Sequence, residues 1–399
     1  MKRDGVPTGR SHPIVSRIIK LLSFLYTRIF IGFRCRDRYH VKDGESVLVL
    51  SNHQTDYDPF CIIPSFSRIV YPVATDNIFS GRFVSRVLSY LNVIPKKKGV
   101  ADVSALIQMR STLKNGASVL LFPEGNRSYA EFQYYINPGM AKFIKSTGAT
   151  VVLFNIHGGS GISPRFKHKN RRGRFYGEIS RVIPYEEYRE MDDGELFRQI
   201  TDGIRVFDSD SGDLYKSIRR AEYLERMLFA CPKCGASQTL VSEKQYIKCR
   251  NCGLTVEYGE DLHLKSDDPA FVFSRLIDWW SYQKKYVREM EILPGKAVFS
   301  DSGVKLFSSE PFEKKVLLAS GDVSVDDTSL RCSDRVFDVA KIEAASVVSG
   351  RNLTFVYEKK EYTMRGNVRF NPLKYAFLFN RLDTLMKLRS TDKYYNTEE

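Results

Sequence analysis

Between Glu45 and Ile183 short apolar runs alternate with helix-patterned stretches, and this alternation restricts the region to a sheet layered with helices. Ser46–His53 (SVLVLSNH) reads as a buried strand that ends at a histidine. Ser104–Gly116 and Asn137–Gly148 read as helices, each stopped by a glycine. Ala117–Gly125 and Ala149–Gly159 read as further strands, each running into a glycine turn. The fold class expected here is α/β, a mixed sheet flanked by helices. A helical segment, about 187–229, is expected to follow.

The rest of the chain has a different texture. Cys231–Cys234 (CPKC) and Cys249–Cys252 (CRNC) give C-x2-C-x14-C-x2-C, with a glycine after each pair. Two such knuckles supply four thiolates to one tetrahedral ion, which predicts a zinc ribbon with structural zinc and no open catalytic position. The other three cysteines, Cys35, Cys61 and Cys332, stand apart, so the seven together read as a reducing compartment rather than a disulfide framework. No redox cofactor is expected. From Lys296 to Met364, β-rich runs are broken by turn signals at 301–303, 320–322, 326–329, 349–352 and 358–361. About seven strands, closed by one helix over about 372–388, predict a mostly β, PH-like domain. The expected division is a membrane-interfacial helix in 1–34, an α/β domain in 35–225, the ribbon in 226–262, the β-rich domain in 263–390 and a frayed tail, 391–399. Trp279, Trp280 and Tyr282 read as the core of a connecting helix in preference to an interfacial belt.

A formal net charge of +14 attracts anions: lipid headgroups, phosphorylated substrates, acidic carrier proteins or nucleic acid. The apolar stretch Ile18–Phe33 is interrupted by Lys20 and Arg28 and falls short of the roughly 20 residues a spanning helix needs. No small-residue cleavage site follows it, which argues against a signal peptide. Cationic flanks around bulky apolar residues fit a helix lying in a membrane interface. The basic run Lys167–Arg174 lies in the α/β half, away from the ribbon. It reads as a solvated loop or a headgroup contact, so nucleic acid is not the expected partner.

Two segments carry candidate chemistry. Asn52–Asp58 (NHQTDYD) puts a histidine at a strand end with an aspartate five positions later. Histidine is the usual general base near neutral pH, and a carboxylate on its other ring nitrogen fixes the tautomer. Five residues of ideal helix leave two side chains about 140° apart, so His53 and Asp58 can meet only across a strand-to-helix turn. Asp58-Pro59 supports such a turn, with Asp as a favoured cap and Pro as a favoured first helical residue. Read blandly, Asp58 is a cap, Asp56 a solvated turn residue and His53 a strand-end polar group. Phe122–Ser128 (FPEGNRS) runs a strand into a turn that presents Glu124, Gly125, Asn126, Arg127 and Ser128. Arginine offers phosphate a planar fork of donors. The bland reading is a strand turn with a surface Arg–Glu pair.

Together the two segments resemble the glycerolipid acyltransferase family, in particular 1-acylglycerol-3-phosphate acyltransferases. Asn52, His53 and Asp58 match its N-H-x4-D motif, and Phe122–Ser128 match F-P-E-G-[TN]-R-S throughout. Val93–Gly99 (VIPKKKG) stands where the family has an apolar segment closing on a basic residue, with Lys98 as the counterpart. Val151–Gly159 lacks the proline of the family's fourth motif. The resemblance spans roughly residues 15–215. It implies an acyl group moved from acyl-CoA or an acyl carrier protein to the sn-2 hydroxyl of 1-acylglycerol 3-phosphate. His53 is then the base, Asp58 its orienting carboxylate, and Glu124, Gly125, Asn126, Arg127, Ser128 and Lys98 the groups that hold the glycerol phosphate, with Glu124 orienting Arg127 or the glycerol part rather than meeting the phosphate. It also implies a place on the cytoplasmic face of a membrane, the inner membrane of a bacterium. Other acceptors stay open, a different lysophospholipid or glycerol 3-phosphate, as does a non-catalytic membrane or nucleic-acid adaptor.

Overall fold

The computed structural model describes residues 13–75, 92–96, 102–129, 131, 133–309, 315–348 and 350–382. They form two compact units. One runs up to Arg165 and resumes over Lys169–Lys216; the other takes Phe166–His168 and the chain from Ser217 onward.

The first unit is built on a seven-stranded sheet. Its strands are β1 (Arg34–Cys35), β2 (Val47–Ser51), β3 (Val70–Thr75), β4 (Ile94–Lys96), β5 (Ser118–Leu121), β6 (Thr150–His157) and β7 (Tyr176–Ile183), in the order β1-β7-β6-β2-β5-β3-β4. All neighbours are parallel except β6 and β7, so the sheet is mixed, as expected. The central strand β2 is buried at every position because helices or loops cover both faces, which explains its unbroken Val-Leu-Val-Leu run. On one face Leu48, Leu50, Val119, Leu121, Val151 and Leu153 pack against α3 (Val103–Lys114), α4 (Gly139–Thr147) and α5 (Asp193–Gly203) through Met109, Leu113, Ile144, Leu196 and Ile200. Each such side chain contributes about 1.5–3 kcal/mol by leaving water.

Local signals set the helix ends. The Asp102 side chain accepts from the Ser104 and Ala105 N–H groups to start α3, and Asp192 does the same for α5 from Gly194 and Glu195. Gly148, with φ +69°, ends α4 in the left-handed conformation a Cβ disfavours. The expected helix over 187–229 is cut short. Helix α5 ends at Gly203, and the chain then runs irregularly through 3-10 turns at Asp208–Asp210 and Leu224–Arg226. Its apolar residues Ile204, Tyr215, Leu224 and Leu228 are buried by tertiary packing rather than along one helical stripe.

The N-terminal helix α1 (Pro13–Leu25) continues as a π-turn through Ile31. It packs beside the short helix α2 (Asp58–Ile62), where Tyr26 meets Tyr57 and Phe60 edge-on. Its other face leaves Ile14, Ile18, Leu21, Leu22, Ile29 and Phe30 exposed. Among the described residues no helix is long and apolar enough to cross a membrane.

The second unit holds two antiparallel sheets. The smaller, β8 (Leu240–Glu243), β9 (Tyr246–Cys249), β10 (Thr255–Tyr258) and β11 (Leu264–Lys265), is a meander carrying the cysteines. The larger runs β15-β14-β13-β12-β18-β17-β16, from β12 (Phe299–Ser309), β13 (Val316–Val325), β14 (Ser329–Cys332), β15 (Arg335–Asp338), β16 (Ile342–Val348), β17 (Asn352–Tyr357) and β18 (Lys360–Arg365), and a helix over 373–382 follows. Seven strands and a closing helix are what the sequence predicts. Two of the predicted turns lie inside strands instead. The 301–303 signal is a bulge in β12, with Gly303 at φ +67°, and 320–322 lies in mid-β13. The turn at Glu358-Lys359 is made by two non-glycine residues at positive φ. The connecting helix α6 (Leu276–Glu289) buries Trp279 and Trp280, so that pair is core. The expected tail, 391–399, lies outside the described residues.

Candidate active site

Strands β6, β2 and β5 are parallel neighbours, so their carboxyl ends lie along one edge of the sheet and deliver three loops to it. The first begins at Asn52. Beyond Ser51 the ladder between β2 and β6 stops, and the Asn52 side chain replaces it. Its Nδ2 donates to the Ile156 carbonyl and its Oδ1 accepts the Ile156 N–H, each at 2.8 Å. An amide presents the same donor and acceptor pair as a peptide group, so Asn52 lets the backbone leave the sheet without orphaning buried partners. The chain then turns sharply at His53.

His53 Nδ1 lies 2.8 Å from Asp58 Oδ2, with Asp58 wholly buried. The same oxygen accepts the Gln54 and Thr55 N–H groups at 2.7 and 2.9 Å, and the Thr55 hydroxyl donates to Oδ1. Four donors converge on Asp58, so it acts as an acceptor throughout and accepts a hydrogen bond from the Nδ1–H of His53. The lone pair of His53 then sits on Nε2. Asp58 opens α2 but does not cap it, contrary to the sequence reading. Its oxygens reach back to the loop 53–55, and this is what bends the two side chains together. The imidazole also stacks on Phe122, with centroids 4.2 Å apart, which fixes its plane.

The second loop is Phe122–Ser128. Gly125 adopts φ +64° at the turn. Glu124 points inward, where its oxygens accept the N–H groups of His53 at 3.3 Å and Tyr134 at 3.0 Å. Burial pushes its carboxyl up to about 7, against the pull of those two donors. Glu124 therefore braces the histidine loop, and it lines the small cavity beside His53. The Ser128 N–H donates to the His53 carbonyl at 2.8 Å, a second tie between the loops. Arg127 is held by two carbonyl oxygens, Gln54 at 3.2 Å and Ser163 at 3.1 Å, and its Nη1 meets Asp56 at 2.6 Å. Asn126 accepts from Arg165, which also donates to the Arg127 carbonyl and lies 3.8 Å over the Tyr129 ring.

The third loop is Gly158–Ser163. Asp208 accepts the Gly158 and Ser160 N–H groups, while Gln54 accepts that of Gly159. At Gly158, φ +83°, a Cβ would overlap the Arg174 carbonyl. Burial raises the Asp208 carboxyl, and burial with the Asp208 charge raises that of Glu131, which accepts the Ser209 N–H. Glu131, Ser128, Gln133, Arg205 and His53 line a small cavity with room for about one water molecule.

His53, Asp58 and the 124–128 turn thus lie together, as the sequence predicts. Lys98 lies outside the described residues. Lys96, in the same basic run, ends β4 at the same edge, and its Nζ lies 4.0 Å from where a Gly125 Cβ would be. Lys96, Arg165 and the ladder role of Asn52 were not read from sequence. That Lys96 meets the Phe122–Ser128 turn follows from strand register, which the run of lysines does not disclose. Arg165 and Asn52 act through residues far off in sequence.

In the second unit the sulfurs of Cys231, Cys234, Cys249 and Cys252 all lie within 4.8 Å of one another. Cys231 and Cys252 are 3.6 Å apart and Cys234 and Cys249 3.8 Å, close to the roughly 3.8 Å edge of a tetrahedron with Zn–S near 2.3 Å. Both knuckles repeat one turn: the Gly235 N–H donates to Cys231 and that of Gly253 to Cys249, each at 3.0 Å. The donor set fits a tetrahedral thiophilic ion.

Chemically, the first unit can take a proton from a group placed at His53 Nε2 and hold an anion at the adjacent cationic turn. Residues 32–156, all within the first unit, match the family model described as Acyltransferase. Among solved structures, the chain is similar to the 1-acyl-sn-glycerophosphate (LPA) acyltransferase PlsC from Thermotoga maritima. The match has 20% identity and a TM-score of 0.42, over 48% of this chain and 77% of that one. No curated protein matches the chain.

Proposed function

We propose that the protein moves a fatty acyl group from a thioester, acyl-CoA or acyl carrier protein, to the sn-2 hydroxyl of 1-acylglycerol 3-phosphate. The observation that carries this reading is the 2.8 Å contact between His53 Nδ1 and buried Asp58, beside a turn bearing Arg127. An alcohol is a poor nucleophile until a base takes its proton as attack begins. His53 Nε2 takes that proton while the hydroxyl oxygen attacks the thioester carbonyl. The imidazolium, stabilised by Asp58, then protonates the leaving thiolate. Both bonds are exchanged without a covalent enzyme intermediate. Arg127 and Lys96 hold the phosphate, and Glu124 and Arg165 position the loops that carry them. Since burial raises the Glu124 carboxyl to about 7 and its oxygens accept the His53 and Tyr134 N–H groups, it repels a phosphate less than a fully ionised carboxylate would.

The exposed apolar face of α1, continued by half-exposed Phe60, supports seating at a membrane surface from which a lysolipid could enter. We place the protein at the cytoplasmic face of a bacterial inner membrane. We assign the four-cysteine site to structural zinc, since four thiolates leave no position for substrate.

The test is acyl transfer from labelled acyl-CoA or acyl carrier protein to lysophosphatidate, with wild type, His53→Ala and Asp58→Asn. His53→Ala is expected to lose at least about 100-fold in kcat/KM, the scale of a positioned base. Undiminished turnover in that variant removes the mechanism.

A further inference from the structure

The mechanism gives no role to Asp56, yet Asp56 sits on the cation proposed to bind the phosphate. We infer that Asp56 is a resident anion that the acceptor's phosphate must displace from Arg127, and that it sets both acceptor affinity and charge selectivity. The inference rests on the acceptor reading above.

Its physical basis is an asymmetry between the two partners. The Arg127 guanidinium is nearly enclosed, with its side chain 12% exposed, and Nε and Nη2 are anchored to the Gln54 and Ser163 carbonyls. Nη1 is the edge left for an anion, and the Asp56 carboxylate occupies it at 2.6 Å. Asp56 itself is 72% exposed, so an anion arriving from solvent meets this pair from the Asp56 side while the guanidinium stays fixed. A carboxylate presents an oxygen to a guanidinium much as a phosphate does. Asp56 therefore stands where a phosphate oxygen would bind. The surrounding charge favours exchange for a more highly charged anion. Lys96 Nζ lies beside Gly125, and Arg165 braces the Asn126–Arg127 backbone. Glu124 is turned away toward His53 and Tyr134.

Selectivity follows from what must replace Asp56. A phosphate monoester, close to a dianion at neutral pH, gains more from Arg127 and Lys96 than the single charge it displaces. A zwitterionic phosphodiester headgroup offers one negative charge and carries its own cation, so it gains little by the exchange. The resident carboxylate thus raises the threshold for every acceptor and weighs most against the diesters.

The experiment compares full-length wild type, Asp56→Asn and Asp56→Glu. Steady-state kinetics are measured with 1-acylglycerol 3-phosphate and with 1-acylglycerophosphocholine, and affinity for inorganic phosphate is measured separately by calorimetry. For Asp56→Asn, the KM for 1-acylglycerol 3-phosphate should fall about 2–5-fold, the scale of an exposed ion pair. Phosphate should bind tighter by a similar factor, and the preference for monoester over diester should narrow. Asp56→Glu should keep the wild-type pattern. A KM that stays level or rises in Asp56→Asn overturns the inference, because Asp56 would then be a prop for Arg127. So does an Asp56→Glu variant that behaves like Asn. If the wild type transfers no acyl group to lysophosphatidate, the acceptor reading fails by itself. The phosphate titration still decides whether Asp56 competes for Arg127.

Discussion

The first unit holds its candidate site with backbone; the second holds its cysteine cluster with little else. Around His53, Asn52 extends a strand ladder, Asp58 collects backbone donors from 54 and 55, and Glu124 spans His53 and Tyr134. All of these contacts hang on a sheet whose core is apolar and continuous. The four-stranded cysteine meander has strands of two to four residues. Its knuckles are fixed from outside by α6: Gln283 accepts the Phe229 and Ala230 N–H groups and donates to the Met227 carbonyl, and Tyr282 donates to the Cys231 carbonyl. The comparison teaches that one site is set by the fold, while the other must help to make it.

The largest effect expected from that difference is on metal removal. Binding energy at a four-thiolate site is folding energy for the module that carries it. Trp279 donates to the Ala230 carbonyl at 2.9 Å, one residue from Cys231, and the chain's two tryptophans are both in α6. Chelation, or Cys249→Ser, should therefore red-shift tryptophan fluorescence and open the 227–258 amides to hydrogen exchange, while amides of β2, β5 and β6 stay protected. Unchanged fluorescence after verified metal loss would mean that α6 alone holds the knuckles.

A middle-sized effect is expected at Asn52. Replacing it with leucine removes the side chain that satisfies the Ile156 N–H and carbonyl, both buried. Each orphaned group costs about 1–3 kcal/mol, so a loss of about 2–6 kcal/mol follows. It should appear in denaturant unfolding of the first unit, with a fall in transfer activity as the His53 turn loosens. Aspartate at this position, which can accept but not donate in its ionised form, should recover only part of the stability. A stable, active leucine variant would show that the turn is set elsewhere.

The legibility of the two regions differed for the same reason. His53 and Asp58 are five residues apart, and the four cysteines fall in tight pairs, so covalent spacing already limits where those groups can point. Asn52 acts on Ile156, 104 positions away, and that relation exists only once β2 and β6 are in register. Lys96 likewise comes beside Gly125 through the register of β4, which spacing along the chain does not reveal. The β-rich unit shows the converse failure. A Gly-containing signal at 301–303 reads locally as a turn, but pairing with β13 on one side and β18 on the other carries the strand through it as a bulge. The helical pattern expected past Gly203 was apolar content without a helical stripe, and tertiary burial used it differently.

The smallest effect separates the two regions by pH. Burial and the neighbouring Asp208 charge raise the Glu131 carboxyl, and burial raises that of Asp208. A carboxyl raised in the folded state stabilises it fully below the ordinary carboxylate range. That contribution is lost as pH climbs through the raised value, because the folded chain must then hold an unwelcome charge. The first unit should therefore be more stable near about pH 5 than near about pH 8.5. Glu131→Gln keeps an oxygen for the Ser209 N–H but cannot ionise. Its melting temperature should match the wild type at the lower pH and exceed it at the higher by about 2–4 °C, about 1 kcal/mol for a unit of this size. The transition of the second unit should not respond to that substitution. If the variant melts below the wild type equally at both pH values, the Glu131 contact is an ordinary hydrogen bond, and the carboxyl pair is not what makes the first unit sensitive to alkali.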